Sequence, residues 1–188
     1  MSPFEIPPHW PRAYGLEIGW RSTGAIWGAL DPSSDVLYLY DEYCSTERQL
    51  LVHANDIQSR GSWIQGVMDP AGHGRSRTDG FRLIDMYGDL GLHVEAAESL
   101  LESGIVEVWQ RMGTGQLKVF ASLNNYLQEF GSYRRDEQGQ VVDESHPLQN
   151  ATRCLVVGGI SCMRAVPVEQ PVEFRYGRCS DDSLAWMR

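Results

Sequence analysis

Short apolar runs near the start of the chain predict three β-strands. Residues 13–20 (AYGLEIGW) and 24–30 (GAIWGAL) are separated by three polar residues, and residues 36–43 (VLYLYDEY) follow a DPSSD turn. Runs of this length, rich in branched and aromatic residues and bounded by turn residues, are typical of strands. The tight connections between them predict an antiparallel meander.

Strand and helix patterns alternate along the rest of the chain. Apolar residues at helical spacing predict helices over 47–60, 78–91, 98–112, 122–133 and 147–159. Short apolar runs predict strands at 63–69, 92–97 and 116–120, and a hairpin at 133–142. A meander followed by alternating strands and helices predicts an α/β domain with a mixed sheet flanked by helices.

The composition fits one globular domain. Hydrophobic residues make up 42% of the 188 residues and charged residues 22%, which excludes a wholly disordered chain. We expect a proline-rich lead-in at 1–12, the domain at 13–160, and a tail or linker at 161–188. The chain has neither a run long enough to span a membrane nor a signal-peptide layout, so we expect a soluble protein of the cytoplasm.

Charge and cysteine content narrow the function classes. The net charge of −9 argues against a broad basic surface that binds nucleic acid by charge alone. The four cysteines form no C-x-x-C pair, so free thiols in a reducing compartment are expected. We assign five tryptophans to the core rather than to base-stacking platforms, namely Trp10, Trp20, Trp27, Trp63 and Trp109.

Two acids occupy unusual places in apolar strands. Glu17 lies within the first apolar run, and Asp69 ends the run WIQGVM just before Pro70. A buried acid is costly unless it is paired or holds a metal, and oxygen ligands from neighbouring strands suit Mg²⁺ or Mn²⁺. The alternative is that Glu17 faces solvent at a sheet edge and Asp69 only caps a turn.

The stretch DPAGHGRSRTDG at 69–80 combines glycines with Arg75 and Arg77 ahead of a predicted helix. Backbone donors and guanidinium groups near a helix N-terminus can hold a phosphate, although the stretch matches neither a Walker A nor a dinucleotide-binding motif. It is therefore either a phosphate-contact segment or a surface loop.

The order of segments resembles the C-terminal nuclease domain of tailed-phage terminase large subunits. The resemblance covers residues 9–159. The residues that carry it are 9–20 (HWPRAYGLEIGW), 25–43 (AIWGALDPSSDVLYLYDEY), 66–92 (GVMDPAGHGRSRTDGFRLIDMYGDLGL), 104–120 (GIVEVWQRMGTGQLKVF), 130–142 (FGSYRRDEQGQVV) and 151–157 (ATRCLVV). It implies a ribonuclease H-like fold.

That resemblance also implies a function. The family cuts concatemeric double-stranded DNA with an acid cluster and two divalent metals, which generate hydroxide and stabilise charge at the scissile phosphate. The partners that the resemblance implies are an ATPase domain, a portal and a small terminase, and it implies no membrane association. By this resemblance the chain is a phage or prophage DNA-packaging nuclease domain, in the cytoplasm of a bacterial host, that uses Mg²⁺ or Mn²⁺. It contains no Walker A segment, so the packaging motor is expected to lie elsewhere.

The site residues implied by the resemblance depart from the family pattern. The first acid is normally Asp in G-[LIM]-D-x-G, and here it is Glu17, whereas the second matches Asp69. The third belongs to a D-H-x-x-D-A-x-R-Y segment, which here begins at His146 and has Asn150 in place of the second aspartate. Asn150 contributes an oxygen but no charge, and His146 suits Mn²⁺ better than Mg²⁺.

These departures leave two functions open. The first is an attenuated metal-dependent endonuclease with Glu17, Asp69 and Asn150 as catalytic residues, and with Glu17, Asp69 and His146 as metal ligands. In this endonuclease, Arg75 and Arg77 contact the DNA phosphates, and Asp143 or Glu144 takes the place of the missing acid if the loop shifts. The second is a catalytically inactive ribonuclease H-like module that serves protein or DNA contacts.

Overall fold

The fold is built on a six-stranded sheet. A computed structural model describes residues 1–18, 22–71, 77–97, 101–138, 141 and 146–167. The strands are β1 (Arg12–Ile18), β2 (Ser22–Asp31), β3 (Val36–Thr46), β4 (Gln65–Met68), β5 (Val94–Ala96) and β6 (Leu117–Val119). Their order across the sheet is β5-β4-β1-β2-β3-β6.

Strand directions confirm the predicted mixed sheet. β1, β2 and β3 form the antiparallel meander, in which Glu17 of β1 lies opposite Gly24 of β2. β4 runs parallel to β1, β5 parallel to β4, and β6 parallel to β3. Parallel neighbours need crossover connections, and the helices between these strands supply them.

In the described part of the chain, five α-helices flank the sheet, close to the predicted positions. They are α1 (Leu50–Gln58), α2 (Arg77–Asp89), α3 (Leu101–Gly113), α4 (Asn124–Ser132) and α5 (Pro147–Cys154). Gly91 ends the α2 unit with a φ of 84°, a backbone conformation that other L-residues rarely adopt. The helix predicted at 147–159 is regular only to Cys154 and continues as a wider π-helical segment, Leu155–Gly159.

The hairpin and the two ends of the chain are described in part. Arg135 and Val141 form an antiparallel bridge, as the predicted hairpin requires, and Glu137 and Gln138 lie in the turn, whose residues 139–140 are outside the description. The N-terminal amine of Met1 donates to the carbonyl of Val119, and Arg164 pairs through its backbone with Arg12. Residues 168–188 lie outside the described range, so the assignment of 161–188 as a tail stays a prediction. No helix in the described ranges is long and apolar enough to cross a membrane.

Side chains alternate between the two faces of the sheet, and each face has its own core. Tyr14 and Leu16 of β1 pack with Trp27, and with Ile57 of α1 and Tyr87 of α2. On the opposite face, the sheet packs against α5 and α3, as shown by a second cluster that includes Ala13, Ile26, Val108, Leu148, Ala151 and Leu155. This three-layer arrangement buries both faces of the sheet.

The assignment of tryptophans to the core is right for Trp27 and wrong for Trp109. Trp27 is fully buried, whereas Trp109 is 61% exposed. The buried side of α3 consists of Gly104, Ile105 and Val108, so Trp109 falls at its border and projects outward. A helical period alone does not distinguish the centre of an apolar stripe from its edge.

Helix α5 lies unusually close to the sheet because it packs on glycines. A Cβ atom on Gly15 would collide with the carbonyl oxygen of Ala151, and one on Gly24 would lie 2.8 Å from Cβ of Pro147. Neither glycine has a positive φ, so close packing, not backbone geometry, requires the missing side chain. The contact presses α5 onto the face to which Glu17 also points.

Candidate active site

The two acids singled out in the strands lie on neighbouring strands. Leu16 of β1 is in register with Met68 of parallel β4, and each acid is the next residue along. Neighbouring strands are about 4.8 Å apart, so register partners lie side by side. Glu17 shares a face with Gly15, because residues two apart in a strand point the same way, and that face is covered by α5.

Both acids are removed from solvent. Glu17 is 0% exposed and Asp69 is 8% exposed. The interpretation of Glu17 as a solvent-facing edge residue is therefore wrong. Asp69 does cap the turn that follows, since its Oδ1 accepts a 2.9 Å hydrogen bond from the backbone N–H of Ala71. Its other oxygen, Oδ2, points elsewhere.

That second oxygen meets Arg153 of α5. Nη1 of Arg153 lies 3.6 Å from Oδ2 of Asp69, and the arginine side chain is only 6% exposed. At this separation the contact is an ion pair rather than a well-formed hydrogen bond. A buried guanidinium next to buried carboxylates lowers the cost of removing both charges from water.

The pKa of the Cys154 thiol depends on the charged residues around it. Burial raises the pKa of its thiol to about 12; Arg153 opposes that rise, and the negative charges of Glu17 and Asp69 add to it. The thiol is therefore neutral, and it lies within electrostatic reach of both acids. Glu17, Asp69, Arg153 and Cys154 thus share one buried region between β1, β4 and α5.

The side chain of Arg153 packs against Gly104 of helix α3. A Cβ atom on Gly104 would lie 2.5 Å from Cγ of Arg153, so the absence of a side chain there leaves room for the arginine stem. Asn150 lies three residues before Arg153 on the same side of α5 and is half-buried. Asn150 and Arg153 therefore lie on one side of α5, and Arg153 reaches Asp69 from it.

His146 has other contacts. Its Nε2 forms a 3.0 Å hydrogen bond with Oγ of Ser132, and its ring meets that of Tyr133 edge to face at 5.3 Å. Within the described ranges no group of three or more histidine, cysteine, aspartate or glutamate side chains is arranged to hold a metal ion. Glu17, Asp69 and His146 therefore do not form such a group.

The remaining candidate residues fall largely outside the description. Arg75, Asp143 and Glu144 lie outside the described residues. The backbone of Arg77 begins α2, and its side chain is outside the description.

Sequence patterns missed the carboxylates that hold α4 and α5 in place. Oε2 of Glu129 in α4 accepts hydrogen bonds of 2.9 and 3.2 Å from the backbone N–H groups of Leu148 and Gln149, the first turn of α5. Glu42 of β3 does the same for α4, accepting from the N–H groups of Asn125 and Tyr126. A capping acid supplied by another element has no local sequence signal.

Glu129 carries an electrostatic cost in this position. Burial raises its carboxyl pKa to about 7, although the two backbone donors of α5 oppose the rise and the charge of Glu42 adds to it. The N-terminus of α5 is thus fixed by a group that titrates near neutral pH.

Known proteins resemble this chain in sequence and in structure. No protein-family model matches the chain. The terminase large subunit of Enterobacteria phage LP7 is 28% identical to it in an alignment 161 residues long, and the match covers 80% of this chain and 34% of that protein. The P22 large terminase nuclease domain superposes with a TM-score of 0.81 at 26% identity, covering 88% of this chain and 89% of the other. The chain resembles a terminase nuclease domain.

The terminase likeness has a defined extent. The chain spans about a third of the length of its curated relative, at 34%. The nuclease domain of the bacteriophage SPP1 large terminase, solved with bound Mn, has a TM-score of 0.54 at 15% identity over 77% of this chain and 85% of the other, which shows a shared fold alone. The mixed sheet and flanking helices form the ribonuclease H-like fold predicted from sequence.

Proposed function

We propose that this chain is a terminase-type, divalent-metal-dependent DNA endonuclease domain of a phage DNA-packaging protein. The observation that carries the proposal is the pairing of Glu17 with Asp69. Two buried acids stand side by side at the ends of parallel strands, in a fold that resembles a terminase nuclease domain. Buried carboxylates are costly to folding, and a cation site explains why they are kept.

The donor set fits a hard divalent cation. Carboxylate oxygens from Glu17 and Asp69 are the ligand type that Mg²⁺ and Mn²⁺ prefer, and the amide oxygen of Asn150 on α5 is the proposed third donor. Mg²⁺ is commonly held by one or two carboxylates together with substrate phosphates. When bound, the cation would polarise the scissile phosphate and lower the pKa of its water. We leave His146 out of this set, because its Nε2 is bonded to Ser132.

The chain's own residues supply position and charge. Glu17 and Asp69 place negative charge at the strand ends, and Arg153 holds Asp69 from the side of α5. Arg75 and Arg77, which follow Asp69 in sequence, are the proposed contacts to DNA phosphates.

We further propose that Asn150 attenuates cleavage. An amide in place of the third acid keeps an oxygen but removes one negative charge, which weakens cation binding and leaves the second metal of the family's site poorly held. Loss of one stabilising group in an active site costs about 10²–10³-fold in rate.

The proposed partners follow from the resemblance. They are double-stranded DNA and other packaging proteins, namely an ATPase domain, a portal and a small terminase, in the cytoplasm of a bacterial host. A domain that spans 34% of its relative's length is consistent with a separate motor segment.

A plasmid-nicking assay tests the proposal. Purified chain, shown by circular dichroism to be folded, is incubated with supercoiled plasmid in Mn²⁺ and separately in Mg²⁺. We expect slow nicking, faster in Mn²⁺, that is abolished in Asp69→Ala. Nicking that persists unchanged in Asp69→Ala would contradict the assignment of the site.

One observation favours a second function. The described part of the site holds two carboxylates with the cation of Arg153 already 3.6 Å from one of them. A site with one of its two carboxylates already paired in this way could serve a catalytically inactive module that contacts protein or DNA. No nicking by folded wild-type chain in either metal would favour this function over cleavage.

A further inference from the structure

An open groove with aromatic walls lies between α3, α4 and α5. We call it the aromatic groove. The space within it, together with the open solvent at its mouth, is about 320 Å³. Its lining includes Ile105, Trp109, Phe130, Tyr133, Gln149 and Arg153. Trp109 is 61% exposed and Phe130 is 45% exposed. Exposed apolar side chains that form one contiguous patch are typical of ligand-binding grooves and interaction surfaces.

Two walls of the aromatic groove are held in fixed orientations. The ring of Phe130 stacks on the buried ring of Tyr126, with centroids 6.3 Å apart and an interplanar angle of 15°. The ring of Tyr133 is held edge to face by buried His146, which is itself bonded to Ser132. Walls that are already ordered lose little entropy when a ligand binds.

Polar groups line the base of the aromatic groove. The amide Nε2 of Gln149 donates to the carbonyl of Tyr126 at 3.2 Å, which orients the amide. Arg153 lines the groove and extends from it to Asp69, where its Nη1 is 3.6 Å from Oδ2. The groove and the acid pair are therefore separated by the length of one side chain.

We propose that the aromatic groove binds an unpaired nucleobase of the DNA strand that lies at the Glu17–Asp69 pair. A planar base can stack on Trp109 or Phe130 while its polar edge meets Gln149 and Arg153. Stacking of bases on aromatic side chains is tolerant of sequence and is a common device for holding single strands. This inference rests on the proposed nuclease function, whose substrate it refines.

The proposal specifies the form of the DNA. Bases inside a duplex are stacked and paired, so a base enters such a groove only from a single strand, a frayed end or an extruded nucleotide. We therefore expect the chain to bind a short oligothymidylate, or a duplex with an unpaired overhang, more tightly than a blunt duplex of the same length.

Binding measured without cleavage tests the proposal. Fluorescence anisotropy of a labelled oligothymidylate is followed with the full chain in EDTA. We expect Trp109→Ala to raise Kd roughly 5-fold to 150-fold, the range found for removal of one stacking partner. The matched control Phe81→Ala removes a ring that is 41% exposed on α2, away from the groove, and should leave Kd unchanged.

A second readout locates the contact. In ¹⁵N-labelled protein, the indole N–H signal of Trp109, assigned with Trp109→Phe, should shift on addition of oligothymidylate. Equal affinity of Trp109→Ala and Phe81→Ala, no indole shift, or no binding by the wild type would overturn the proposal. A change of Trp109→Ala in sedimentation rather than in DNA affinity would also overturn it, by identifying the groove as a protein interface.

The two proposals fail separately. Absence of plasmid nicking with oligonucleotide binding intact contradicts the nuclease function but not the groove. Nicking that depends on Asp69, with no effect of Trp109→Ala on binding, contradicts only the groove.

Discussion

The face of the sheet against α1 and α2 is filled by large apolar side chains, whereas the face against α5 combines an apolar core with glycines and charged groups. Leu16 and Trp27 are fully buried on the first face. Glu17, one residue after Leu16, is equally buried on the second, where Asp69 and Arg153 pair. Two neighbouring residues of one strand are thus equally buried, one among apolar side chains and the other on the face that carries charged groups.

This difference separates stability from function. Burial of apolar area favours folding on both faces. On the second face, burial of charge opposes folding unless the charges are compensated, and glycines give up apolar contacts so that α5 can come close. A functional role for the charges explains why this face keeps them despite their cost to folding, and we therefore place the active site on it.

The largest effect is expected from substitutions of two neighbouring residues on opposite faces. Leu16→Ala should lower the free energy of unfolding by about 2–5 kcal/mol, since it leaves a cavity in the core. Glu17→Gln should lower it by much less, because the amide keeps the length and an acceptor oxygen while removing a buried charge. Denaturant melts followed by circular dichroism measure both.

For nicking activity the order of the two substitutions should reverse, with the larger loss in Glu17→Gln. At a temperature where both variants stay folded, Leu16→Ala should nick plasmid at a rate close to wild type and Glu17→Gln should be inactive. Comparable loss of stability and of nicking in the two variants would show that the two faces do not divide the roles as described.

The sequence alone predicts the order of elements and singles out Glu17, but it does not predict which strands are neighbours or how the helices are rotated. The meander and the order of later elements follow from short apolar runs and helical spacing, and Glu17 stands out because its neighbours are apolar. Pairing of Glu17 with Asp69 requires β4 to lie beside β1, which depends on a crossover between distant segments. Exposure of Trp109 depends on how far α3 is rotated against α5, and no local pattern encodes that rotation.

Restoring charge on the α5 face should sharpen the comparison. Asn150→Asp adds the third acid and should raise the nicking rate in Mg²⁺ by up to about 10²–10³-fold, the range that one stabilising group supplies. The control Asn55→Asp makes the same charge change on an exposed residue of α1 and should have no effect. Equal rates in the wild type and Asn150→Asp would mean that cleavage is limited elsewhere in the site.

A smaller effect is expected from the cap of α5. The pKa of Glu129 is raised from 4.5 to about 7, so between these values the unfolded chain loses the proton that the folded chain keeps. The free energy of unfolding therefore falls as pH rises through this window, and the loss is complete above it. Glu129→Gln keeps an acceptor for the N–H groups of Leu148 and Gln149 without the charge.

Thermal melts at two pH values measure that effect. Glu129→Gln should be more stable than wild type by about 1–2 kcal/mol near pH 8, a value discounted for the partial exposure of the carboxyl, with the gain disappearing near pH 4. The same difference in Tm at both pH values would contradict the raised pKa of Glu129.

The central claim, that Glu17 and Asp69 form a cation site on the α5 face, is tested most directly by thermal stability in Mn²⁺. A cation that binds only the folded chain raises Tm with its concentration, whether or not the site cleaves DNA. We predict that Mn²⁺ raises Tm of the wild type and of Asp56→Ala, a control acid on α1, but not of Asp69→Ala. An undiminished shift in Asp69→Ala would contradict the account.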